Sequence, residues 1–232
     1  MFVVYAAGER GARREARQEA AVVVVDAFRA STTIAVLVRK GARVVPVASI
    51  EEATGYDGTD YRIGERGGAK VRGFDFGNSP TEIEAAELAP GATVVLSTTN
   101  GTRVIEAAQG ASAVLTGAFV NARAVADELA TGAYGGRIAV IGCGWEGHRA
   151  SEDESAAGAI VHRLRERGAG LDERAAQIVD LYLARTEKSL RRNSAARRLV
   201  RLGYERDLDL CLAENTLPVV PRLEGNTFVG QV

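Results

Sequence analysis

Four consecutive valines, Val22–Val25, followed at once by Asp26, constrain the fold of this chain more than any other feature. A strand with no polar face is stable only where both faces are covered, inside a sheet with helices on each side. Further short β-branched runs alternate with alanine-rich segments whose apolar residues recur at three and four, the pattern of βαβ units. The spacing predicts strands at Phe2–Ala6, Ala21–Asp26, Arg43–Ala48, Thr93–Ser97, Ala113–Thr116 and Arg137–Gly142. Helices are expected at Thr32–Arg39, Gly101–Gln109, Arg123–Ala130, Glu152–Arg167, Asp172–Leu183 and Ser194–Leu202, before a Pro-containing tail with one or two short strands. The class is α/β, a mainly parallel sheet with helices on both faces. A chain of 232 residues suits one domain over 1–232, or two lobes meeting near 110–150.

One segment interrupts the rhythm. Tyr56–Pro80 is rich in glycine and reads as a long irregular loop, ordered by Tyr61, Phe74 and Phe76. A second feature is a faint repeat: a strand, a hydroxyl-rich turn with an arginine, then a helix. It occurs at Val22–Ile34 and again at Val94–Ile105. In parallel strands the two turns would open at the same sheet edge, where open α/β sheets place their ligands.

Charge narrows the partners. With 29 basic and 30 acidic residues the formal charge is −1, so no global field recruits a nucleic acid or a membrane. The Arg185–Arg201 run lacks interleaved aromatics and reads as a solvated helix face. No apolar run approaches the ~20 residues of a spanning helix, and nothing at Met1 resembles an export signal; the expected location is the cytoplasm. Cys143 and Cys211 are too sparse for a disulfide scaffold or a zinc site.

Four clusters can carry chemistry. Asp26 emerges at a strand end, and Arg29, Ser31, Thr32 and Thr33 open the next helix, where free N–H groups and hydroxyls favour an anion. The competing reading makes Ser31 a cap and Arg29 a surface ion-pair partner. Ser97–Arg103 repeats the arrangement: Asn100-Gly101 can adopt the positive φ angles that turn amides toward one point, and Arg103, a turn into its helix, is expected to matter less than Arg29. In the long loop, Glu65 and Asp75 are candidate metal or proton-transfer carboxylates, and Lys70 and Asn78 candidate phosphate contacts. Finally Glu152, Asp153 and Glu154 begin a helix after the glycine-rich turn Gly142–Gly147; adjacent carboxylates hold Mg²⁺, and they are equally what a helix dipole favours. His148 and His162 make no metal pair.

Taken together, Val24–Ile34, Gly64-Glu65-Arg66 with Lys70, Gly73–Pro80, Thr98–Arg103 and Ser151–Asp153 resemble, in order, the motifs of the 2-phosphosulfolactate phosphatase (ComB) family. The resemblance covers roughly Ala21 to Gly158, and beyond it only the helical pattern and Arg206–Leu210. It implies a three-layer α/β/α fold on a mainly parallel or mixed sheet, a Mg²⁺ requirement, and hydrolysis of 2-phospho-3-sulfolactate to sulfolactate and phosphate in coenzyme M biosynthesis. It also implies metal ligation by Asp26, Glu65, Glu152 and Asp153, and catalytic roles for Asp26, Arg29, Glu65, Lys70 and Asp153. Substrate contacts would come from Ser31, Thr32, Thr33, Asn78, Ser79, Thr98, Thr99, Asn100, Gly101 and Thr102. Asp26 suits either metal ligation or covalent attack; the haloacid-dehalogenase type of attack needs a second Asp where Phe28 stands. The family tends to carry Ala-Gly-Thr where this chain has Gly142-Cys143-Gly144-Trp145, so another small anionic phosphoester, or a non-catalytic anion-binding role, is kept beside the named substrate. A homodimer is compatible with all of this.

Overall fold

The valine run becomes β2 (Ala21–Val25), buried at every position. Its alternate side chains feed two cores. Val22 and Val24 pack with the helix Ala30–Arg39, whereas Ala21, Val23 and Val25 pack with the helices Ala122–Ala130 and Ser151–Glu166. The double coverage that an all-apolar strand demands is therefore met by helices on both faces of one sheet. The computed structural model describes residues 1–145 and 147–231.

Among the described residues the sheet has eleven strands: β1 (Phe2–Ala7), β2, β3 (Arg43–Pro46), β4 (Tyr61–Arg66), β5 (Ala69–Lys70), β6 (Thr93–Ser97), β7 (Ala113–Thr116), β8 (Arg137–Gly142), β9 (Gly170–Leu171), β10 (Val220–Glu224) and β11 (Thr227–Gln231). Their order is β5-β4-β6-β3-β11-β10-β7-β2-β8-β1-β9. Two parallel blocks, β4-β6-β3 and β7-β2-β8-β1-β9, are joined by the C-terminal hairpin, which pairs antiparallel on both sides, Phe228 opposite Val44 and Arg222 opposite Leu115. The result is the mixed three-layer α/β/α arrangement.

This topology corrects one expectation. β2 and β6 are not parallel neighbours; four strands separate them, and the three antiparallel joins between the blocks reverse their direction. The turns after them meet nonetheless. The contact is direct, since a Cβ on Gly101 would lie 2.8 Å from Asp26 Oδ2.

The segment Tyr56–Pro80 is also more regular than expected. It contains β4, which runs beside β6, and β5, which pairs Lys70 with Glu65 in a hairpin. The glycines Gly67 and Gly68 make that turn at φ of 61° and 91°. Glycine content there marks a tight turn at a strand end rather than a loop without structure. No helix of the described residues is long and apolar enough to cross a membrane.

Candidate active site

Asp26 caps the carboxyl end of β2, with its Oδ1 accepting the Ala30 N–H at 3.4 Å. The three hydroxyls that follow do not face an anion seat. Ser31 Oγ accepts the Asp26 N–H at 2.8 Å and the Thr116 hydroxyl at 2.7 Å, and it donates back to the Val24 carbonyl at 3.3 Å. Thr32 Oγ1 donates to the Ala27 carbonyl at 3.2 Å, and Thr33 Oγ1 is buried without a partner. All three lie on the core side of the helix Ala30–Arg39, so the expected substrate contacts of Ser31, Thr32 and Thr33 are corrected to internal ones.

From the other block comes Glu65, at the end of β4. Its Oε1 accepts the Thr99 N–H at 2.6 Å, and its Oε2 accepts the Gly68 N–H at 2.6 Å and the Thr99 hydroxyl at 3.2 Å. Thr98 and Thr102 bond to each other, Thr102 N–H to Thr98 Oγ1 at 3.3 Å and Thr102 Oγ1 to the Thr98 carbonyl at 3.2 Å. Asn100 and Gly101 do not turn to positive φ, so the expected nest of amides is absent here; Asn100 sits at φ −125°. Glycine at 101 is required for a different reason: a methyl group would meet Asp26 at 2.8 Å and Ala30 Cβ at 2.9 Å.

Lys70 and Ser79 are not brought to the cleft. Lys70 is exposed and donates to the Asp75 carbonyl at 2.7 Å, while Ser79 caps the helix Pro80–Ala85 and donates to Asp207 at 2.7 Å. Asp75 accepts the Arg62 N–H at 2.7 Å. Asn78 does reach it, 4% exposed and with an Oδ1 that has no partner among the described residues.

The third contribution is the start of the helix Ser151–Glu166. Asp153 clamps two strand ends, its Oδ1 accepting the Ala27 N–H and its Oδ2 the Gly144 N–H, both at 2.8 Å. Glu152 accepts Asn193 Nδ2 at 2.7 Å. Asp26, Glu65, Glu152 and Asp153 thus line one cleft, with Arg29, Asn78, Asn100, Trp145 and Arg198. Burial first, then the Glu65 and Glu152 carboxylates, push Asp26 up to about 7, against the Ala30 N–H and Arg29. Burial, then Asp26 and Glu152, hold Asp153 well above the usual carboxylate range, and burial raises Glu152. Carboxylates are thus crowded in this cleft, Glu65 and Glu152 acting on Asp26, and Asp26 and Glu152 on Asp153.

The cleft's cations differ from those expected. Arg29 is 2% exposed and already committed: Nη1 donates to Asp207 Oδ2 at 2.8 Å, Nη2 to the Gly68 carbonyl at 2.7 Å, and the guanidinium lies 4.3 Å from the Tyr204 ring centre. It braces the β4–β5 turn against the helix Glu205–Leu212. Arg198 is the cation that sequence reasoning missed, its guanidinium 3.6 Å from the Trp145 ring centre and its charge favouring ionised Glu152. It comes from the basic run read as a solvated face. A signal existed, because Ala196 and Leu199 form the buried stripe of the helix Ser194–Arg201 and Arg198 flanks it. Trp145 lies in the departing turn, whose Glu146 is outside the described residues. Gly144, at φ 72°, lets that turn close, since a Cβ would fall 2.4 Å from the His148 carbonyl oxygen.

A mixed α/β sheet whose strand ends, with one helix start, bring four acidic side chains and two arginines to one narrow cleft has the arrangement of an enzyme site for small anionic substrates. Comparison with known proteins agrees. The family model described as 2-phosphosulpholactate phosphatase matches residues 8–226, including the C-terminal third. Curated relatives named "Probable 2-phosphosulfolactate phosphatase" occur in Gloeobacter violaceus (40% identical, covering 86% of this chain and 86% of the relative), Thermotoga petrophila (36%, 89% and 90%) and Carboxydothermus hydrogenoformans (38%, 93% and 90%). The chain belongs to the 2-phosphosulfolactate phosphatase family and is a phosphoric monoester hydrolase.

Proposed function

We propose that the cleft hydrolyses 2-phospho-3-sulfolactate to 3-sulfolactate and phosphate with Mg²⁺, the reaction of coenzyme M biosynthesis. The observation that carries this reading is the convergence of Asp26, Glu65, Glu152 and Asp153 on one cleft, where burial with Glu65 and Glu152 raises Asp26, and burial with Asp26 and Glu152 raises Asp153. The donor set fits a hard divalent cation. All are oxygens, and the orphaned Asn78 Oδ1 beside them is a buried acceptor in search of a positive partner. Among the described residues no three Asp, Glu, His or Cys side chains are grouped so that they could hold a metal ion by themselves. Mg²⁺ is commonly held by one or two carboxylates with water and phosphate completing its shell. One or two of Asp26, Glu65, Glu152 and Asp153 would hold it. When bound, the ion supplies charge neutralisation and a more acidic water.

The protein's own groups do the rest. Arg198, with its side chain steadied on Trp145, neutralises the phosphate oxygens, and Asn78 orients the group beside it. Asp26 is the least committed of the acids, with one long bond among the described residues, to the Ala30 N–H, while Glu65 and Asp153 each accept two or more donors. Its raised proton affinity suits it to take the proton of the attacking water. The test is phosphate release from a panel containing 2-phospho-3-sulfolactate and 2-phospholactate. Turnover is expected to vanish with a chelator and return with Mg²⁺ or Mn²⁺; full activity in excess chelator refutes the metal-dependent reading.

A further inference from the structure

Beside the carboxylate cleft lies a second cavity, of about 710 Å³. It is bounded by the turn after β1, the start of the helix Gly101–Ala107, the end of β4 and the segment Gly147–Arg149. Its charge is the opposite of its neighbour's. Arg10, Arg66, Arg103 and Arg149 line it, with His148. Glu9, the one carboxylate among the described lining residues, is turned to Arg13 at 2.9 Å. Arg66 is fixed by the Glu65 carbonyl at 2.7 Å and Ser97 Oγ at 3.0 Å, and Arg149 pairs with Glu154. Arg10 and Arg103 are exposed, and among the described residues neither has an ion pair or a side-chain hydrogen bond. Like charges gathered on one concavity repel unless an anion joins them, and the planar guanidinium fork matches the paired oxygens of a carboxylate or sulfonate.

The two cavities adjoin. Asn100 lines both, and the preceding residue, Thr99, lines the basic cavity while bonding Glu65 of the acidic cleft. The acidic cleft is small, about 40 Å³, so the non-transferred part of a substrate has its room next door. From this juxtaposition we infer that the basic cavity receives a second acid group, carboxylate or sulfonate, of the phosphoester, and that Arg10 and Arg103 set the enzyme's preference for such substrates. The roles expected of the two turn arginines are thereby exchanged, Arg29 bracing the fold and Arg103 selecting the substrate. The inference rests on the phosphatase reading above and adds to it where the far end of the substrate lies.

The experiment compares 2-phospholactate and 2-phospho-3-sulfolactate with isopropyl phosphate, which keeps the ester and lacks the acid. Arg103→Gln and Arg10→Gln should each lower kcat/KM for the acid-bearing esters at least ~10-fold (~1.4 kcal/mol), mainly through KM, and leave isopropyl phosphate within about twofold. Arg103→Lys should fall between, keeping the charge without the fork. An equal loss on all three esters, or no loss on any, overturns the assignment. Binding of 3-sulfolactate by calorimetry supplies a readout independent of turnover. It should weaken at least ~10-fold in Arg103→Gln while binding of inorganic phosphate is unchanged. Arginine-dependent binding without hydrolysis by the wild type would sink the phosphatase reading and keep the cavity's role. Hydrolysis that ignores Arg10 and Arg103 would do the reverse, and failure of both binding and hydrolysis overturns both.

Discussion

Removing the carboxylate of Asp207 tests whether Arg29 is a brace. Asp207 is fully buried; its Oδ2 faces Arg29, and its Oδ1 accepts Ser79 Oγ at 2.7 Å, Thr81 Oγ1 at 2.5 Å and the Thr81 N–H at 3.3 Å. Asp207→Ala leaves a guanidinium that is 2% exposed without its counter-charge. Breaking such a buried pair from one side costs ~3–5 kcal/mol, because the remaining charge keeps its desolvation penalty and loses its compensation. Some is recovered, since Arg29 keeps the Gly68 carbonyl and the Tyr204 ring, so the lower end, ~3 kcal/mol, is expected. At roughly 2–4 °C per kcal/mol for a chain of this size, the melting temperature should fall by about 6–12 °C. Urea unfolding of Asp207→Leu, Arg29→Met and Arg29→Met/Asp207→Leu measures the coupling. The double variant, which removes both charges, should be more stable than either single variant. A loss under ~1 kcal/mol in Asp207→Ala, or a double variant as unstable as the sum of the singles, refutes the brace.

Three other predictions concern the cleft. Asp26→Asn should lower kcat at least ~10²-fold with an unchanged melting temperature, the order expected for losing one group in proton transfer; a collapse of the fold instead would make Asp26 structural. Gly101→Ala should destabilise by ~1–3 kcal/mol in urea unfolding and depress activity with it, because the added methyl would sit 2.8 Å from the Asp26 carboxylate; a neutral effect would mean the turn yields freely. The third concerns pH. Asp26 titrates near 7 in the folded chain against 3.8 for an unperturbed carboxyl, and Asp153 is raised as well, so the native state binds more protons than the unfolded one over that interval. Chelator-treated protein should therefore gain stability as pH falls from about 8 toward 5 and lose it as pH rises through about 7, read by thermal unfolding; a flat or opposite trend contradicts the raising of Asp26 and Asp153.

Asp26, Glu152 and Asp153 were legible because each stands at a local boundary, a strand end or a helix start, that the chain announces by composition, whereas Glu65 stood out only as a carboxylate in a glycine-rich segment. The hydroxyls of Ser31, Thr32 and Thr33 were misread for the same reason. A helix start offers them to a ligand or to the core, and only packing against Val24, Ala27 and Thr116 decides. Arg29 was located correctly but its partner was not, since Asp207 approaches from a helix far along the chain. The six strands read from β-branched runs are present within a residue or two. β4 was hidden by the glycines around it, and the helix Gly8–Ala16 by its charge, for its buried side is formed by small or charged residues, Gly11, Ala12, Glu15 and Ala16. Pairing of β10 and β11 with distant strands leaves no local trace at all.

The position of that hairpin bears on how the molecule is made. Until Val220–Gln231 has been synthesised, β3 and β7 both present open ladders, and the two blocks have no common sheet. Closing it requires contacts of very long sequence separation, which form slowly and leave unpaired strands exposed to other chains in the meantime. Each block can begin to assemble during translation, but the cleft between Asp26 and Glu65 is finished only when Phe228 slots in beside Val44. Nascent chains stalled short of the hairpin are thus expected to carry formed half-sheets, to be prone to association, and to be without phosphatase activity, so that catalytic competence is gained in one late step rather than by degrees.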